Sequence, residues 1–485
     1  MSTLPVTYIG GAIQPLQGVM TMTTTAPALV WDSALIRRYN QNGPRYTSYP
    51  SALQFHEDFD AKAYARALTD GPADAPLSIY IHIPFCARLC YYCACNKVIT
   101  KDRRRSQTYL QYLKKEMHLV TAQLAPGRPV TQIHLGGGTP TFLDDEEMAQ
   151  LIQMLREHFT LLDNTDPARE YAIEVDPRAL GPDTIPRLAR LGFNRMSIGV
   201  QDFDPRVQKA VNRLQSVALT REVMEQARAH GFASLNLDLI YGLPYQTVTS
   251  FRDTLDQVIA LRPDRLSVFN YAHLPHVFKP QRSIATETLP NAEEKLAILH
   301  LAIERLTQAG YVYIGMDHFA LPEDALARAR EEGKLHRNFQ GYSTQSDCDL
   351  IGLGVSAISK LDSGYAQNQK ELDAYYAALD AHQLPTWRGY ALEADDRIRR
   401  DVIMELICQG ELDTEALGRR HGIEFDRYFA PELKALVGMV GDGLVRCDGK
   451  NLGVTGQGRL LLRNICTVFD RYLSNLPRQH YSKML

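Results

Sequence analysis

The sequence predicts an α/β protein: a parallel part-barrel of (β/α)6 type, followed by a smaller, mostly helical, winged-helix-like domain. Three observations carry this. From residue 77, short β-rich runs alternate with amphipathic segments of helical length, the pattern of βαβ units and a parallel sheet. Six or seven such units occur without a dinucleotide-binding glycine fingerprint, which favours a barrel or open part-barrel over a doubly wound sheet. Polar residues and glycines recur at the ends of those runs, where barrel folds gather their chemistry.

The elements follow in order. "LSIYIHIPF" (77–85) is the first strand, and its alternation sets Tyr80, His82 and Pro84 on one face and three isoleucines on the other. Ser106 to Leu124 has helical spacing. "TQIHLGGGTP" is the next strand and turn, and Asp144 to Phe159 the next helix. "EYAIEVDP", "RMSIGVQ", "SLNLDLIYGLP", "RLSVFNYAHLP" and "YVYIGMDHF" continue the series. Cys86, Gly136 to Thr139, Glu174, Gln201, Asp238 and His273 all fall at or just past a strand end. Past residue 340 the alternation fades. From Asp395 two or three helices precede a hairpin, "GLVRCDGKNLGVT", and a helix from Gly456 to Tyr472. The expected division is an extension (1–30) without fixed structure, an N-terminal segment (31–76), the part-barrel (77–340) and the helical domain (341–485).

Bulk properties exclude several classes. Of 485 residues, 45% are hydrophobic and 22% charged, ordinary for a globular chain. The net charge of −3 gives no general attraction to nucleic acid or to an anionic membrane. Arg and Lys are not concentrated on a recognition helix, so the winged-helix region is read as packing against the barrel. No apolar run is long enough to span a bilayer, and no secretory signal opens the chain. Four of the eight cysteines crowd into Cys86–Cys95, while Cys348, Cys408, Cys447 and Cys466 are scattered. That is not a disulfide framework; it suits a reduced, cytoplasmic chain with one ligand cluster.

The cluster "CARLCYYCAC" admits several readings. The spacings of four and three from Cys86 to Cys90 and Cys93 would share one face of a helix, a plain buried stripe. Structural zinc usually draws a second ligand pair from ~12–20 residues away, and no second CxxC or HxxxH stands there. Thiolates close together on a loop suit an iron–sulfur cluster, and three of them leave one iron open. Cys95 is a candidate fourth ligand, though one intervening residue after Cys93 would demand a sharp bend.

CxxxCxxC after a first strand resembles the radical S-adenosylmethionine (SAM) enzymes. The longer string, "GPRYTSYP" (43–50), "CARLCYYCACNK", "GGGTPT", "GVQDF", "DLIYGLP", "FNYAHLP" and "HRNFQGY", resembles the oxygen-independent coproporphyrinogen III oxidase family, in order from Trp31 onward. The resemblance implies a [4Fe–4S] cluster on Cys86, Cys90 and Cys93, with SAM on the open iron. It implies oxidative decarboxylation of two propionates of coproporphyrinogen III to vinyl groups, giving protoporphyrinogen IX in haem biosynthesis. Tyr80, Gly137, Glu174, Ala272 and Ile358 would line one SAM site. Tyr92, Gly138, Thr139, Gln201, Arg213 and Asp238 would line a second; the alternative for Asp238 and Arg213 is a plain ion pair with each other. Cys95 would be a non-ligand marking the oxidase branch.

A tetracarboxylate macrocycle asks for cations and aromatics, and Arg45, Tyr46, Tyr49, Arg337, Phe339 and Gln340 are candidates for contacting it. This makes 31–76 a substrate-contacting segment. The remaining partner is a low-potential electron donor, for which the basic run 101–105 is a candidate dock; no nucleic acid, membrane insertion or oligomer is expected. Family members often carry Phe and Gly where this chain has Tyr92 and Ala94. The rival readings are a haem-binding chaperone of the same superfamily, whose members generally lack the CxC ending, and a winged-helix DNA-binding redox sensor.

Overall fold

The computed structural model describes residues 29–345 and 348–473, so the expected extension lies outside the described residues up to residue 28. Six parallel strands form the wall in chain order: β1 (Leu77–Ile83), β2 (Pro129–Gly137), β3 (Glu170–Val175), β4 (Arg195–Gln201), β5 (Ser234–Tyr241) and β6 (Arg265–Asn270). Past β6 the sheet ends on an antiparallel hairpin, β7 (Val312–Gly315) and β8 (His318–Ala320), with β8 against β6. At the other side β9 (Asp349–Leu353) runs parallel to β1. The antiparallel strands β10 (Ile358–Leu361), β11 (Gly364–Asn368) and β12 (Thr386–Ala391) complete it. Among the described residues β7 and β12 are the free ends of one sheet, which is therefore an open part-barrel.

The sheet thus continues to Ala391, well past the expected boundary at 340. The sequence hides this because β9, "DLIGL", is buried throughout and shows no two-residue alternation. β9, β10 and β11 follow one another through short turns, and a helix, Leu372–Asp380, intervenes only before β12.

Alternation in β1 sorts its faces as the sequence suggests. Ile79, Ile81 and Ile83 are fully buried beneath the helices, each contributing about 1.5–3 kcal/mol. The helix Arg104–Thr121 lays Tyr109, Leu110, Leu113, Met117 and Val120 on that surface. The helix Asp145–His158 starts at a capping box, in which Asp144 accepts from the Glu147 amide and Glu147 from the Asp144 amide. A buried carboxylate ties the first helix to the strand extension: Glu116 accepts from the Gly354 amide at 2.7 Å, Asn368 at 2.5 Å and Tyr375 at 2.6 Å. Burial still pushes its pKa up to about 7.

The C-terminal region has helices Ala394–Gln409, Thr414–His421 and Ala430–Gly441 before the hairpin Val445–Cys447/Asn451–Val454, with Glu411–Asp413 as a third strand. This matches the winged-helix-like expectation. The helix expected from Gly456 to Tyr472 is instead broken into two 3₁₀ turns around a short helix, Leu462–Cys466. Gly458 packs directly on the Leu444 carbonyl, and Ile465, Thr467 and Val468 are poor helix formers.

Candidate functional site

Strand register assembles a polar row on the face away from the helices. Tyr80 stands beside His134, Glu174 beside Ser197, and Asp238 beside both Gly199 and Ser267. The Tyr80 ring stacks on His134 with centroids 5.9 Å apart. Its hydroxyl lies 3.0 Å from His82 Nδ1, and His82 Nε2 lies 2.9 Å from the Asn96 carbonyl. Burial depresses the His82 pKa and raises that of Tyr80. A neutral imidazole then donates from Nε2 to Asn96 and accepts from the tyrosine at Nδ1. His134 Nε2 meets Glu174 Oε1 at 3.0 Å, and Glu174 keeps 44% of its side chain exposed.

The cysteines lie on the loop between β1 and the helix Arg104–Thr121. Two short bridging strands, Phe85–Cys86 and Val98–Ile99, close that loop at its base, so it is not a helical stripe. All of its thiols are free. Cys86 is buried, with Sγ 3.3 Å from Thr139 Oγ1, and burial pushes its pKa up to about 11. Cys93 is pulled down to about 6, first by the hydrogen bond from the Cys95 thiol and further by the Lys97 charge. Lys97 Nζ donates to the Cys93 carbonyl at 2.9 Å and to that of Cys95 at 3.3 Å. Cys90 Sγ faces two guanidinium groups, Arg178 at 3.5 Å and Arg213 at 3.8 Å.

This donor set fits a thiolate-bound cluster. Cations and hydroxyls surround the sulfurs, and thiolate is the ligating form. Among the described residues no three His, Cys, Asp or Glu side chains converge as they would on a single ion. A four-iron cluster is itself several ångströms across, so its thiolates stand wider apart than the ligands of one ion. The glycines beside the loop leave no room for side chains. A β-carbon on Gly136 would stand 2.8 Å from Glu174 Oε1, and one on Gly138 would stand 2.6 Å from the Pro84 carbonyl oxygen. Gly137 has φ +114°, a left-handed conformation suited to glycine.

The remaining candidates divide. Gln201, with φ +71°, is buried at the end of β4. Arg213 does not pair with Asp238. Its Nη1 lies 3.3 Å from Asp176 Oδ2, and its Nη2 donates to the Gly199 carbonyl at 2.5 Å. Asp238 instead accepts from Ser197 and Asn236, each at 2.8 Å, and burial pushes its pKa up to about 6. Tyr92 packs beside Val207 and Val211, and its carbonyl shares Gln281 Nε2 with that of Ala272. Ile358 and Phe339 each pack against the cluster of Phe55, Tyr365 and Leu392.

Two aromatic candidates for substrate contact are corrected. Tyr46 and Tyr49 are fully buried in the C-terminal core. The Tyr46 hydroxyl donates to Asp470 Oδ2 at 3.0 Å, and that of Tyr49 accepts from the Arg471 amide at 3.2 Å. They fasten the N-terminal segment to the C-terminal domain. Arg45 is bound to Asp317 at 3.0 Å. Arg337 is buried, with its guanidinium 4.8 Å over the Tyr342 ring, and neither it nor Gln340 has a partner for all its buried nitrogens.

Sequence reasoning missed Asp176, Arg178, His134 and Lys97. Asp176 and Arg178 follow Glu174 in "EVDPRA", and Asp176 accepts from the Arg178 amide in the turn after β3. Their position just past a strand end was the available signal.

The chain matches the Radical SAM superfamily over residues 80–258 and the HemN C-terminal domain over 392–461. The second match begins directly after β12. An oxygen-independent coproporphyrinogen III oxidase of Pseudomonas aeruginosa is 54% identical over 94% of this chain and 99% of its own length. The oxidase of that name from Escherichia coli is 51% identical, also over 94% of this chain, and covered over 98% of its length. Similarity also extends to a solved structure, the coproporphyrinogen III oxidase (HemN) of Escherichia coli, described as a radical SAM enzyme. It is 50% identical, with a TM-score of 0.87 over 92% of this chain and 100% of that chain. The chain belongs to the oxygen-independent coproporphyrinogen III oxidase family of radical SAM enzymes.

Proposed function

We propose that this protein oxidatively decarboxylates two propionate side chains of coproporphyrinogen III to vinyl groups, giving protoporphyrinogen IX without oxygen. The observation that carries this is the loop of Cys86, Cys90 and Cys93 packed against Gly136–Gly138, in a chain matched over 94% of its length by the Pseudomonas aeruginosa oxidase. Cys86, Cys90 and Cys93 would hold a [4Fe–4S] cluster, which would supply one-electron reduction of SAM as the source of the hydrogen-abstracting radical.

The chain's own residues bind, orient and shield. Arg178 and Arg213 place two guanidinium groups beside the Cys90 sulfur. Glu174 presents a carboxylate to the amino or ribose groups of SAM, and His134 and Tyr80 fix its position. Gly137 has no side chain to obstruct that ligand, and Ala272 and Ile358 are the further candidates to line its site. Tyr92, Gly138, Thr139, Gln201, Arg213 and Asp238 are the candidates for a second SAM. Cys95, exposed and hydrogen-bonded to Cys93, is not a ligand in this reading. Each propionate loses one hydrogen atom, carbon dioxide and one electron, which passes to an acceptor. A low-potential donor supplies reducing electrons, and the enzyme acts as a cytoplasmic monomer; eight free cysteines support that compartment, and no helix among the described residues is long and apolar enough to cross a membrane.

The test is anaerobic. Reconstituted protein with reductant, SAM and coproporphyrinogen III should yield protoporphyrinogen IX and 5′-deoxyadenosine. Haem binding without decarboxylation would overturn the reading in favour of a chaperone.

A further inference from the structure

Where the C-terminal domain meets the open edge of the barrel, positive charge is buried in excess. Arg463, on the short helix Leu462–Cys466, is 7% exposed, and its Nη1 has no hydrogen-bond partner. Arg337, on the inner hairpin His336–Asn338/Gly341–Ser343, is 4% exposed, and both Nε and Nη1 lack partners. The two guanidinium groups repel each other, and Arg45 adds a third charge. Asp317 is the carboxylate that acts most strongly on Arg463, and Arg45 already holds it at 3.0 Å. Three cations and one anion leave two positive charges in a buried space. Burial pulls the Arg463 pKa down to about 10, so the group is still charged at neutral pH.

Unpaired buried charge is expensive, and a fold retains it where an anion compensates. The cluster is continuous with the polar row. Arg337 lies over Tyr342, Tyr342 meets His318 edge-on at 5.4 Å, and His318 meets Phe269 at 6.0 Å. Phe269 is two residues past Ser267, which neighbours Asp238. Arg337 is also two residues before Phe339, which packs against the same aromatic cluster as Ile358.

We infer that Arg337 and Arg463, backed by the Arg45–Asp317 pair, form a carboxylate-binding subsite that holds one propionate of the substrate, so that the C-terminal domain contributes directly to substrate recognition. This rests on the function proposed above. Planar guanidinium groups are suited to the purpose because each can grip a carboxylate with two parallel hydrogen bonds.

The experiment measures equilibrium binding of coproporphyrinogen III to cluster-loaded, SAM-bound, unreduced enzyme, for wild type, Arg463→Met and Arg337→Met. Each substitution should raise Kd at least tenfold, leave iron content unchanged, and keep or raise the melting temperature of the substrate-free protein. A tripropionate analogue, lacking the carboxylate held here, should bind wild type and Arg463→Met within about twofold of each other. Unchanged Kd in both variants would overturn the subsite, as would a fall in melting temperature of the substrate-free protein, which assigns these arginines to the fold. Failure of wild type to convert coproporphyrinogen III would count instead against the enzymatic reading.

Discussion

Arg213 and Asp176 form an ion pair of 3.3 Å beside Cys90, joining the segment after β4 to the turn after β3. Asp176 also holds Arg178 at 2.6 Å, so removing Arg213 does not strand the carboxylate. Arg213→Met should therefore cost about 1–3 kcal/mol, less than the breaking of an isolated buried pair. Arg178→Met should cost a similar amount. The double variant should exceed the sum of the two, because Asp176 is then buried alone. Denaturant unfolding of the three proteins checks this, and simple additivity would show that the aspartate does not couple them.

The four clustered thiols should separate into two classes. Cys86→Ser, Cys90→Ser and Cys93→Ser should each lose bound iron and visible cluster absorbance after anaerobic reconstitution. Cys95→Ser should keep the iron and lose turnover. Iron analysis beside product formation distinguishes these outcomes, and loss of iron from the Cys95 variant would make that residue a ligand.

Asp238 gives a signature in pH. Its folded pKa, raised to about 6 by burial, lies above the ordinary aspartate value near 4. The neutral carboxyl is favoured in the fold, so its contribution is complete below about pH 4 and is lost as pH rises through 6. The contribution is at most about 3 kcal/mol. Asp238→Asn should flatten the fall in stability between pH 4 and 6, measured by denaturant midpoints across that range.

Tyr46→Phe tests the reassigned tyrosines. The lost hydroxyl removes one donor from Asp470, itself buried, which keeps the Tyr472 amide at 2.9 Å, and stability should fall by about 1–2 kcal/mol. The Kd for coproporphyrinogen III should not move. A binding defect without a stability defect would return Tyr46 to the substrate.

How much was legible in the sequence depended on the kind of signal. Ile79, Tyr80, Ile81 and His82 could be assigned to faces because strand alternation is a local property. The cysteine loop and the triple glycine were visible because spacing and missing side chains are written in the chain. Tyr46 and Tyr49 misled because an aromatic next to an arginine looks alike at a binding rim and in a core. What decided between those was Asp470, 424 residues beyond Tyr46 in the chain. The same limit hid Arg463, whose meaning depends on the charges of Arg337 and Asp317 that act on it. The β9 strand was lost for another reason: burial on both faces erases the period that announces a strand.

The central claim is that the radical formed at the cysteine loop takes hydrogen from a substrate propionate. Coproporphyrinogen III carrying deuterium on the propionate carbon next to the ring tests it most directly. With wild-type enzyme, SAM and reductant, the account predicts deuterium in the 5′-deoxyadenosine and vinyl groups in the product. Unlabelled 5′-deoxyadenosine formed alongside protoporphyrinogen IX would contradict it.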